Sequence, residues 1–282
     1  MNLSEILKSE QSNNHTFIFV DGSYYCFYRY YALINWWKNA HPEENLENPI
    51  ENPIFVEKFK KTFIENLQQI PGKLKLNKNI QPVLIAARDC KRENIWRNEL
   101  YKKYKETRVL DDKFMGGPFF KMVYDEKLFQ QAGVNDVLSH KRLEADDCIA
   151  ITVNRIVQKM PDSMIYIIAS DRDYLQLQSQ NIKIFNLMYK NIAENKSSTG
   201  DANKDLQVKI IMGDVSDNIP SVFEKCGFKT ALKCCEDNAF FEKKMKGKKE
   251  CYEQYELNEK LVSFKKIPKD LEEEFIDCVM NQ

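Results

Sequence analysis

The amino-acid sequence predicts an α/β fold with a mostly parallel central sheet flanked by helices. Short apolar runs alternate with segments of helical pattern, which is the order expected of a parallel sheet. The runs are continuously apolar, as in Val83–Ala87, and this pattern is typical of strands covered on both faces. Acidic residues follow several of these runs, at the sheet edge where ligands bind in such folds. The 282 residues suffice for one large domain, or for one domain with an appendage.

The predicted elements alternate along the chain. Thr16–Val20 is the first strand, and the aromatic run that begins at Tyr24 continues as a helix through Trp37. Residues 38–54 contain the prolines and asparagines of an exposed loop, and Val56–Gln69 is a helix that ends before a proline. The later elements are a strand at 83–87, a helix at about 142–159, strands at 164–169 and 182–185, a polar linker at 190–204, and helices only from residue 205 onward.

The composition is typical of a soluble globular protein, with 43% hydrophobic and 30% charged residues. No apolar run approaches the roughly 20 residues of a membrane-spanning helix, and the amino terminus lacks the apolar stretch of a signal peptide. The eight cysteines include no C-x-x-C pair and no zinc-type spacing. We therefore expect reduced thiols in an intracellular, reducing compartment, either cytoplasm or nucleus, and no membrane partner.

Nine acidic side chains are placed as if to form one site. Some follow predicted strands directly, and others share a helix face because they are three residues apart. Carboxylates that are close together in a partly dry site raise one another's pKa unless a cation is present, and hard divalent cations prefer oxygen ligands. The sequence therefore predicts a metal site at the carboxyl ends of the strands. Its candidate ligands are Asp21, Asp89, Glu144, Asp146, Asp147, Asp171, Asp173, Asp214 and Asp217.

Each acidic cluster also has an ordinary structural explanation. Glu144–Asp147 could be acid enrichment at a helix N-terminus, Ser170–Asp173 could be a helix cap, and Gly213–Asn218 could be a turn. It is the combination of these clusters, each after an apolar run, that favours a metal site over these explanations.

The basic residues point to a polyanionic partner. The chain has 42 basic and 42 acidic residues, so that its formal charge is zero, but the chain without the nine candidate ligands carries a net charge of +9. Residues 91–113 alternate lysine and arginine with aromatic residues. This pattern is typical either of a solvated helix face or of a surface that binds phosphates and unpaired bases.

Six stretches match a known family in combination: Val20–Ser23, Arg88–Asp89, Tyr104–Arg108, Glu144–Asp147, Ser170–Leu175 and Gly213–Pro220. Over residues 16–235 the chain resembles the 5′-nuclease family of flap endonucleases, phage 5′-exonucleases and the 5′-nuclease domains of bacterial DNA polymerase I. The resemblance implies a PIN-like nuclease core at 1–205 with a helical arch at about 91–143. It also implies a helix-three-turn-helix DNA-binding region with C-terminal helices at 206–282.

The resemblance implies a role for each candidate residue. Two Mg²⁺ ions are expected, with Mn²⁺ as a substitute. Asp21, Asp89, Glu144 and Asp146 match the ligands of one ion, and Asp171, Asp173, Asp214 and Asp217 match those of the other, while Asp147 is expected to reach a metal through water. Lys105 and Arg108 match the catalytic basic residues that hold the substrate phosphate at the base of the arch. The expected DNA contacts are Arg29, Arg97, Lys225, Lys229, Thr230 and Lys233.

One segment departs from the family pattern. Where family members carry Pro-Gly-Val-x-Gly-Ile-Gly-x-Lys-Thr-Ala, residues 220–231 are one residue longer and lack two of the glycines. Glycine permits a positive φ and a close approach of the backbone to phosphate. The departure therefore bears on the hairpin geometry and on the K⁺ site that its carbonyls form in the family, and does not bear on the cleavage chemistry.

The sequence thus predicts a metal-dependent, structure-selective 5′-nuclease, acting as a monomer on DNA with 5′ flaps, nicks or free 5′ ends. A polymerase partner would be a separate protein, because no polymerase domain is attached. Two alternatives remain open: a ribonuclease of the PIN class, and a non-catalytic protein that binds DNA structures.

Overall fold

The computed structural model describes residues 2–9, 14–108 and 114–281, and its centre is a five-stranded parallel sheet. The strands lie in the order β3-β2-β1-β4-β5, and every neighbouring pair is parallel. The mostly parallel sheet predicted from the sequence is therefore confirmed. The strands are β1 (Thr16–Asp21), β2 (Val83–Ala87), β3 (Asp136–Leu138), β4 (Met164–Ile168) and β5 (Ile182–Phe185).

The chain changes direction across the sheet at β1. It builds outward from β1 through β2 to β3, then returns to place β4 on the other side of β1 and β5 at the far edge. Ligands in sheets of this kind bind outside the carboxyl ends of the strands, at the point where the strand order reverses. Asp21 is the last residue of β1, so that its carboxylate lies at this point.

Helices cover both faces of the sheet, because successive strand residues point to opposite sides. Phe17 and Phe19 pack in one core with α1, α8 and α13, while Ile18 and Val20 pack in a second core with α2, α3, α6 and α7. The helices before the second helical layer, together with the C-terminal helix, are α1 (Leu3–Lys8), α2 (Gly22–Ala40), α3 (Pro53–Gln68), α4 (Ile70–Lys73), α5 (Arg97–Leu100), α6 (Gly117–Asp125), α7 (Leu128–Gln131), α8 (Ala145–Lys159) and α13 (Lys269–Met280).

A helical layer lies beside the carboxyl edge of the sheet. It consists of α9 (Ala202–Met212), α10 (Phe228–Glu236), α11 (Asn238–Met245) and α12 (Lys249–Val262). Val208, Phe223, Ala231 and Met245 belong to its apolar core. α9 continues across the domain boundary that the sequence suggested at residue 205. Asp205 is buried and accepts hydrogen bonds from the Ser198 hydroxyl at 2.6 Å and the Thr199 amide at 2.7 Å, so that the polar linker is tied to α9.

The range predicted as a helical arch, 91–143, has a more varied structure. Residues 97–100, 117–125 and 128–131 are helical, residues 102–107 form turns, and residues 109–113 lie outside the described part of the chain. The range also contains β3, which belongs to the central sheet. The sequence pattern missed β3 because it has only three residues and begins with aspartate, so that no apolar run announces it.

The remaining strand and helix predictions agree with the structure to within a few residues. Within the described residues, no helix combines the length and the apolar character that crossing a bilayer requires.

Candidate active site

A cavity of about 980 Å³ opens at the carboxyl edge of the sheet, beside the point where the strand order reverses. Residues from the strand ends, from the start of α8 and from the loop after α9 line it. The acidic side chains in its wall include Asp21, Asp89, Glu144, Asp146, Asp171 and Asp214. The structure thus brings together most of the acids that the sequence selected.

Asp21 and Asp89 follow adjacent strands. Asp21 accepts hydrogen bonds from the Tyr24 amide at 2.9 Å, as the N-cap of α2, and from the Tyr174 hydroxyl at 3.0 Å. Asp89 accepts from the Ser23 hydroxyl and from the Ala145 amide, the latter at 2.8 Å. Burial, together with the nearby charge of Asp89, raises the pKa of Asp21 to about 7. These contacts hold the two carboxylates in place, and among the described residues no lysine or arginine forms an ion pair with either of them.

Gly22 allows this arrangement. A Cβ atom at this position would lie 2.3 Å from the Ala87 carbonyl oxygen and 2.8 Å from the Tyr124 hydroxyl. The start of α2 can therefore approach the end of β2 closely, which brings Asp21 and Asp89 to the same place.

The second acidic cluster forms the first turn of α8. Glu144 is the N-cap, and one carboxylate oxygen from each of Glu144, Asp146 and Asp147 lies within 4.8 Å of the others. Burial and the charges of Asp147 and Glu144 raise the pKa of Asp146 well above its usual range. For Glu144, burial raises the pKa, but Lys105 and Arg97 outweigh it and the pKa is lowered. Asp146 is thus the member of the cluster that most lacks positive charge.

Arg97, predicted to contact DNA, is buried in this structure, and its contact with DNA stays a prediction. Its side chain is 2% exposed and lies behind the acidic cluster, where both terminal nitrogens contact Asp147, at 2.8 and 2.7 Å. It also reaches Glu144 at 3.0 Å and the Leu261 carbonyl at 2.7 Å. The basic stretch around Arg97 suggested an exposed side chain, but the preceding apolar pair, Ile95 and Trp96, is buried and carries Arg97 inward.

The same contacts define the place of Asp147. Its carboxylate is fully buried and also accepts from the Trp96 indole at 2.9 Å and from the Glu144 amide at 3.2 Å. Asp147 is not among the residues that line the cavity, and its contacts with these partners and with Arg97 fix the first turn of α8. Any link from Asp147 to a metal ion stays a prediction.

The third acidic group surrounds a lysine that sequence reasoning missed. The Lys209 ammonium, 11% exposed, contacts Asp173 directly and lies 2.8 Å from Asp214 and 3.9 Å from Asp171. Burial disfavours its charge, but these carboxylates outweigh burial and raise its pKa. The sequence carried a signal for Lys209, because it lies between the apolar residues Val208 and Ile210 and five residues before Asp214.

Lys209 does not affect its neighbours equally. Burial raises the pKa of Asp173 to about 7 even though Lys209 lowers it. Burial also opposes ionisation of Asp214, but Lys209 and hydrogen bonds from Ser216 lower its pKa to about 2. The difference follows from deeper burial of Asp173 and from the other neighbours, because Asp171 and Asp217 raise the pKa of Asp173 whereas Ser216 donates hydrogen bonds to Asp214.

Asp217 lies apart from this group and contacts Lys105 and Arg108, the two basic residues predicted to hold the substrate phosphate. Arg108 donates to one carboxylate oxygen of Asp217, and Lys105 lies 3.8 Å from the other while donating to Glu144. The Tyr104 hydroxyl donates to Glu144 at 3.1 Å and lies 3.4 Å from Asp217. The turn at 101–108 therefore joins the start of α8 to the segment after α9, and both bases lie in the cavity wall.

The hairpin after α9 forms without the missing glycines. Gly213 has φ +72, and a Cβ atom there would lie 2.4 Å from the Ile219 carbonyl oxygen, so that this glycine is required. Counted back from Ala231, Lys225 stands where the family pattern has glycine, and its φ is +54. A lysine thus adopts the left-handed conformation, and Gly227 caps α10. The K⁺ site stays a prediction.

The other predicted DNA contacts lie at the cavity mouth or near it. Lys225 lines the cavity, and exposed Lys229 and Lys233 are four residues apart on α10, which places them on one helix face. Thr230, half-buried, donates its amide hydrogen to the Gly227 carbonyl. Arg29 is half-buried on α2. None of these positions excludes a contact with DNA.

The acids fit a site for hard divalent cations. The donor set is made of carboxylate oxygens, which such ions prefer. Burial, and after it the charges of neighbouring carboxylates, raises the pKa values of Asp21, Asp146 and Asp173, so that their ionised forms lack stabilising positive charge. Bound dications would supply the missing positive charge.

Several known proteins are similar to this chain in sequence or in fold. The family model of the 5′-3′ exonuclease N-terminal resolvase-like domain matches residues 16–209. A 5′-3′ exonuclease of Buchnera aphidicola subsp. Schizaphis graminum is 30% identical over 222 residues, covering 76% of this chain and 68% of that protein. A ribonuclease H of enterobacteria phage T4 is 29% identical over 153 residues, covering 51% of this chain and 48% of that protein.

A solved structure agrees over nearly the whole chain. The flap endonuclease of bacteriophage T5, solved as a pseudo-enzyme–product complex with DNA and metal ions, superposes with a TM-score of 0.62 at 15% identity, covering 95% of this chain and 98% of that one. This likeness shows the shared fold. Because the family model matches more than half of this chain, the chain belongs to the 5′-3′ exonuclease family.

Proposed function

We propose that the protein is a structure-selective 5′-nuclease that hydrolyses DNA phosphodiesters near junctions between single and double strands, with two divalent metal ions. The observation that carries the proposal is the single cavity in which two groups of carboxylates lie beside Lys105 and Arg108. Hydrolysis of a phosphodiester needs positive charge on both sides of the phosphate and does not need a protein nucleophile. The arrangement of this cavity meets that need.

The two acid groups would each hold one ion, with Mg²⁺ as the expected metal and Mn²⁺ as a substitute. Asp21, Asp89, Glu144 and Asp146 form the first site, and Asp171, Asp173 and Asp214 form the second, with Asp217 between the second site and the basic turn. When bound, the two ions supply a water of lowered pKa and stabilise the leaving 3′-oxygen.

Lys105 and Arg108 would position the phosphate. Ion pairs with Glu144 and Asp217 hold their charged groups in the cavity wall, next to the carboxylates that would bind the metal ions. Carboxylates that bind a metal attract a nearby ammonium less strongly, because the metal neutralises them. Lys105 and Arg108 can then turn from their acidic partners to phosphate oxygens without leaving the cavity.

The hairpin and α10 would bind the duplex next to the cleavage site. Lys225 connects the cavity with the exposed face of α10 that carries Lys229 and Lys233. Contacts to phosphates fix the register of the duplex without reading its sequence. This arrangement favours a structure-selective DNA enzyme over a PIN-type ribonuclease, for which no duplex-binding element is expected.

A ribonuclease is the second candidate function, because one relative carries the name ribonuclease H. Both activities use the same acidic cavity, so that the geometry of the acids does not separate them. The choice of substrate separates the two activities, because the 2′-hydroxyl distinguishes RNA from DNA at a given site.

A metal titration with matched substrates tests the proposal. The purified protein is mixed with a 5′-flap DNA, the same flap made of RNA on a DNA template, and a single strand, and Mg²⁺ or Mn²⁺ is raised from an EDTA-treated start. We expect cleavage of the DNA flap near the junction that depends on the metal. Cleavage of the RNA flap alone would favour the ribonuclease, and metal-independent binding without any cleavage would overturn the nuclease assignment.

A further inference from the structure

A lysine-rich turn joins α11 to α12 and includes the last residues of α11 and the first of α12. It lies within the region 206–282 and contains none of the residues predicted to contact DNA. Residues 243–249 read Lys-Lys-Met-Lys-Gly-Lys-Lys, with five lysines in seven positions. The flanking acids are Glu242 and Glu250, so that residues 242–250 carry a net charge of +3. Among the described residues, Glu253 is the acid within ion-pair distance of this turn, at 3.3 Å from Lys249. The remaining lysines have no acidic partner at such a distance in the part of the chain that the structure describes.

The turn has a fixed structure. Met245, 1% exposed, anchors it in the apolar core of the helical layer. Gly247 has φ +75, and the Lys248 amide donates to the Met245 carbonyl at 3.0 Å. Such a concentration of like charges is unfavourable by itself, and it is held here in a defined shape. A turn that served only solubility would not need that anchoring.

Aromatic rings connect this turn to the predicted duplex-binding face of α10. The Lys244 ammonium lies 5.2 Å from the ring centre of Phe223 and 5.5 Å from that of Phe240. The Lys233 ammonium lies 4.4 Å from the same Phe240 ring. The two ammonium groups are therefore no more than about 10 Å apart, which is the axial length of about three base-pair steps of duplex DNA.

The turn lies next to α10 and outside the wall of the cavity. α10 packs against α9, which carries Lys209 and leads into Asp214, α11 packs against α10, and α12 packs against both α11 and α9. The cavity wall includes Lys225 and Gly227, just before α10, and none of residues 243–249. A duplex that leaves the cavity along Lys225, Lys229 and Lys233 would therefore reach Lys244 and its neighbours next.

We propose that the lysine-rich turn, residues 243–249, is a second phosphate-binding surface that contacts duplex DNA one helix farther from the cleavage site than α10. Lys244 is fixed between two aromatic rings, and Lys243, Lys246 and Lys248 extend the positive surface. The proposal rests on the proposed function, because it requires a DNA duplex held at the hairpin. It predicts that affinity depends on the length of the duplex beyond the hairpin.

The test uses a charge-matched pair of variants. The test variant carries Lys243→Gln, Lys246→Gln and Lys248→Gln, all at exposed positions. The control variant carries Lys73→Gln, Lys75→Gln and Lys78→Gln, which are also exposed and precede β2, at the sheet edge opposite the cavity. Glutamine keeps the Cβ atom and the helix propensity of lysine, so that both variants should fold, which thermal unfolding checks.

Binding is measured by fluorescence anisotropy in EDTA, over a range of salt concentrations, on 5′-flap DNA with duplex arms of about 6 or about 20 base pairs. On the long arm, the test variant should lose about 2 to 3 from the slope of log affinity against log salt, because each phosphate contact contributes about 0.9. On the short arm, it should match the unmodified protein. The control variant should match on both arms.

An unchanged slope on the long arm would overturn the proposal, and so would an equal loss on both arms, which indicates a general charge effect. In that case the turn would suit an acidic protein partner. Failure of the proposed function is a separate result: it is the absence of metal-dependent cleavage by the unmodified protein. A protein that cleaves the flap and whose test variant binds the long arm normally would disprove only this inference.

Discussion

The two acid groups of the cavity have similar side chains and different electrostatics. In the first, Asp21 and Asp146 have raised pKa values, and their hydrogen-bond donors are backbone amides and the Tyr174 hydroxyl. In the second, the buried Lys209 ammonium contacts Asp173 and Asp214, and the pKa of Asp214 falls to about 2. The protein thus places one cation among several carboxylates of the second group, whereas in the first group Arg97 and Lys105 contact Glu144 and leave Asp21 and Asp146 without such a contact among the described residues.

This difference shows that carboxylate clusters of similar composition need not be equal as metal sites. In the first group Lys105 and Arg97 form ion pairs with Glu144, whereas no ion pair among the described residues reaches Asp21, Asp89 or Asp146, so that a dication would meet these three carboxylates without competition from a bound ammonium or guanidinium. In the second group a metal ion must compete with Lys209, which has to move or share its carboxylates. The first site should therefore bind metal more tightly than the second. Three predictions test this comparison.

The largest expected effect is on hydrolysis. Asp146→Asn and Asp171→Asn remove one carboxylate from the first and the second group, and each should slow DNA cleavage at least ~100-fold if both groups hold metal during catalysis. Flap binding in EDTA should persist in both variants, because the DNA contacts lie elsewhere. Single-turnover cleavage and anisotropy measure the two quantities, and Asp162→Asn, exposed at the opposite sheet edge, is the control.

The outcome that would contradict this prediction is informative. If Asp171→Asn turned over at the normal rate while Asp146→Asn did not, Lys209 would keep the second group permanently and a single metal ion would suffice. The two-metal assignment would then be wrong, although the nuclease assignment would stand.

The second prediction concerns the stability of the metal-free protein. Asp21→Asn should raise the free energy of unfolding at pH 8, and Asp214→Asn should lower it, each by about 1 to 2 kcal/mol. The raised pKa of Asp21 means that the folded state prefers the proton, so that wild-type stability is lost as pH rises from about 4 through about 7. The lowered pKa of Asp214 means that its contribution is present above about pH 4 and lost as pH falls toward 2.

Urea unfolding in EDTA at pH 8 and pH 4.5 measures both effects. The Asp21→Asn variant should approach wild type at the lower pH, while the Asp214→Asn variant should still be less stable there. Changes of the same sign at pH 8 would show that Lys209 does not distinguish the two groups.

The comparison also shows what the sequence could and could not predict. The strands were predictable because runs such as Val83–Ala87 are continuously apolar, and the acids were predictable because Asp21 and Asp89 come directly after such runs. β3 was not predictable, because a strand of three residues that begins with aspartate gives no periodic pattern.

The buried cations were the main failure. Lys209 and Arg97 have the composition of surface residues, and only the packing of α9 and of the segment around Trp96 against the acids makes them buried. A charge is stable inside a protein only when its partners are assembled around it, and those partners come from distant parts of the chain. The sequence pattern groups the acids, but it does not indicate which lysine or arginine will be buried beside them.

The smallest predicted effect concerns the segment that follows the second group. The first group leads into the straight helix α8, whereas the second leads into the hairpin, where Lys225 has φ +54. Lys225→Gly should relieve about 1 kcal/mol of left-handed strain and lose a similar amount through the greater freedom of the unfolded chain, so that the free energy of unfolding changes by less than about 1 kcal/mol.

The affinity of the Lys225→Gly variant for flap DNA should still fall, with a decrease of about 0.9 in the slope of log affinity against log salt, because one phosphate contact is lost. Lys225→Gln, which keeps the Cβ atom, should lose the same slope. If the glycine variant were destabilised by more than about 2 kcal/mol, the lysine side chain would be supporting the hairpin and the position of Asp214, and the second group would depend on the DNA-binding segment as well as on Lys209.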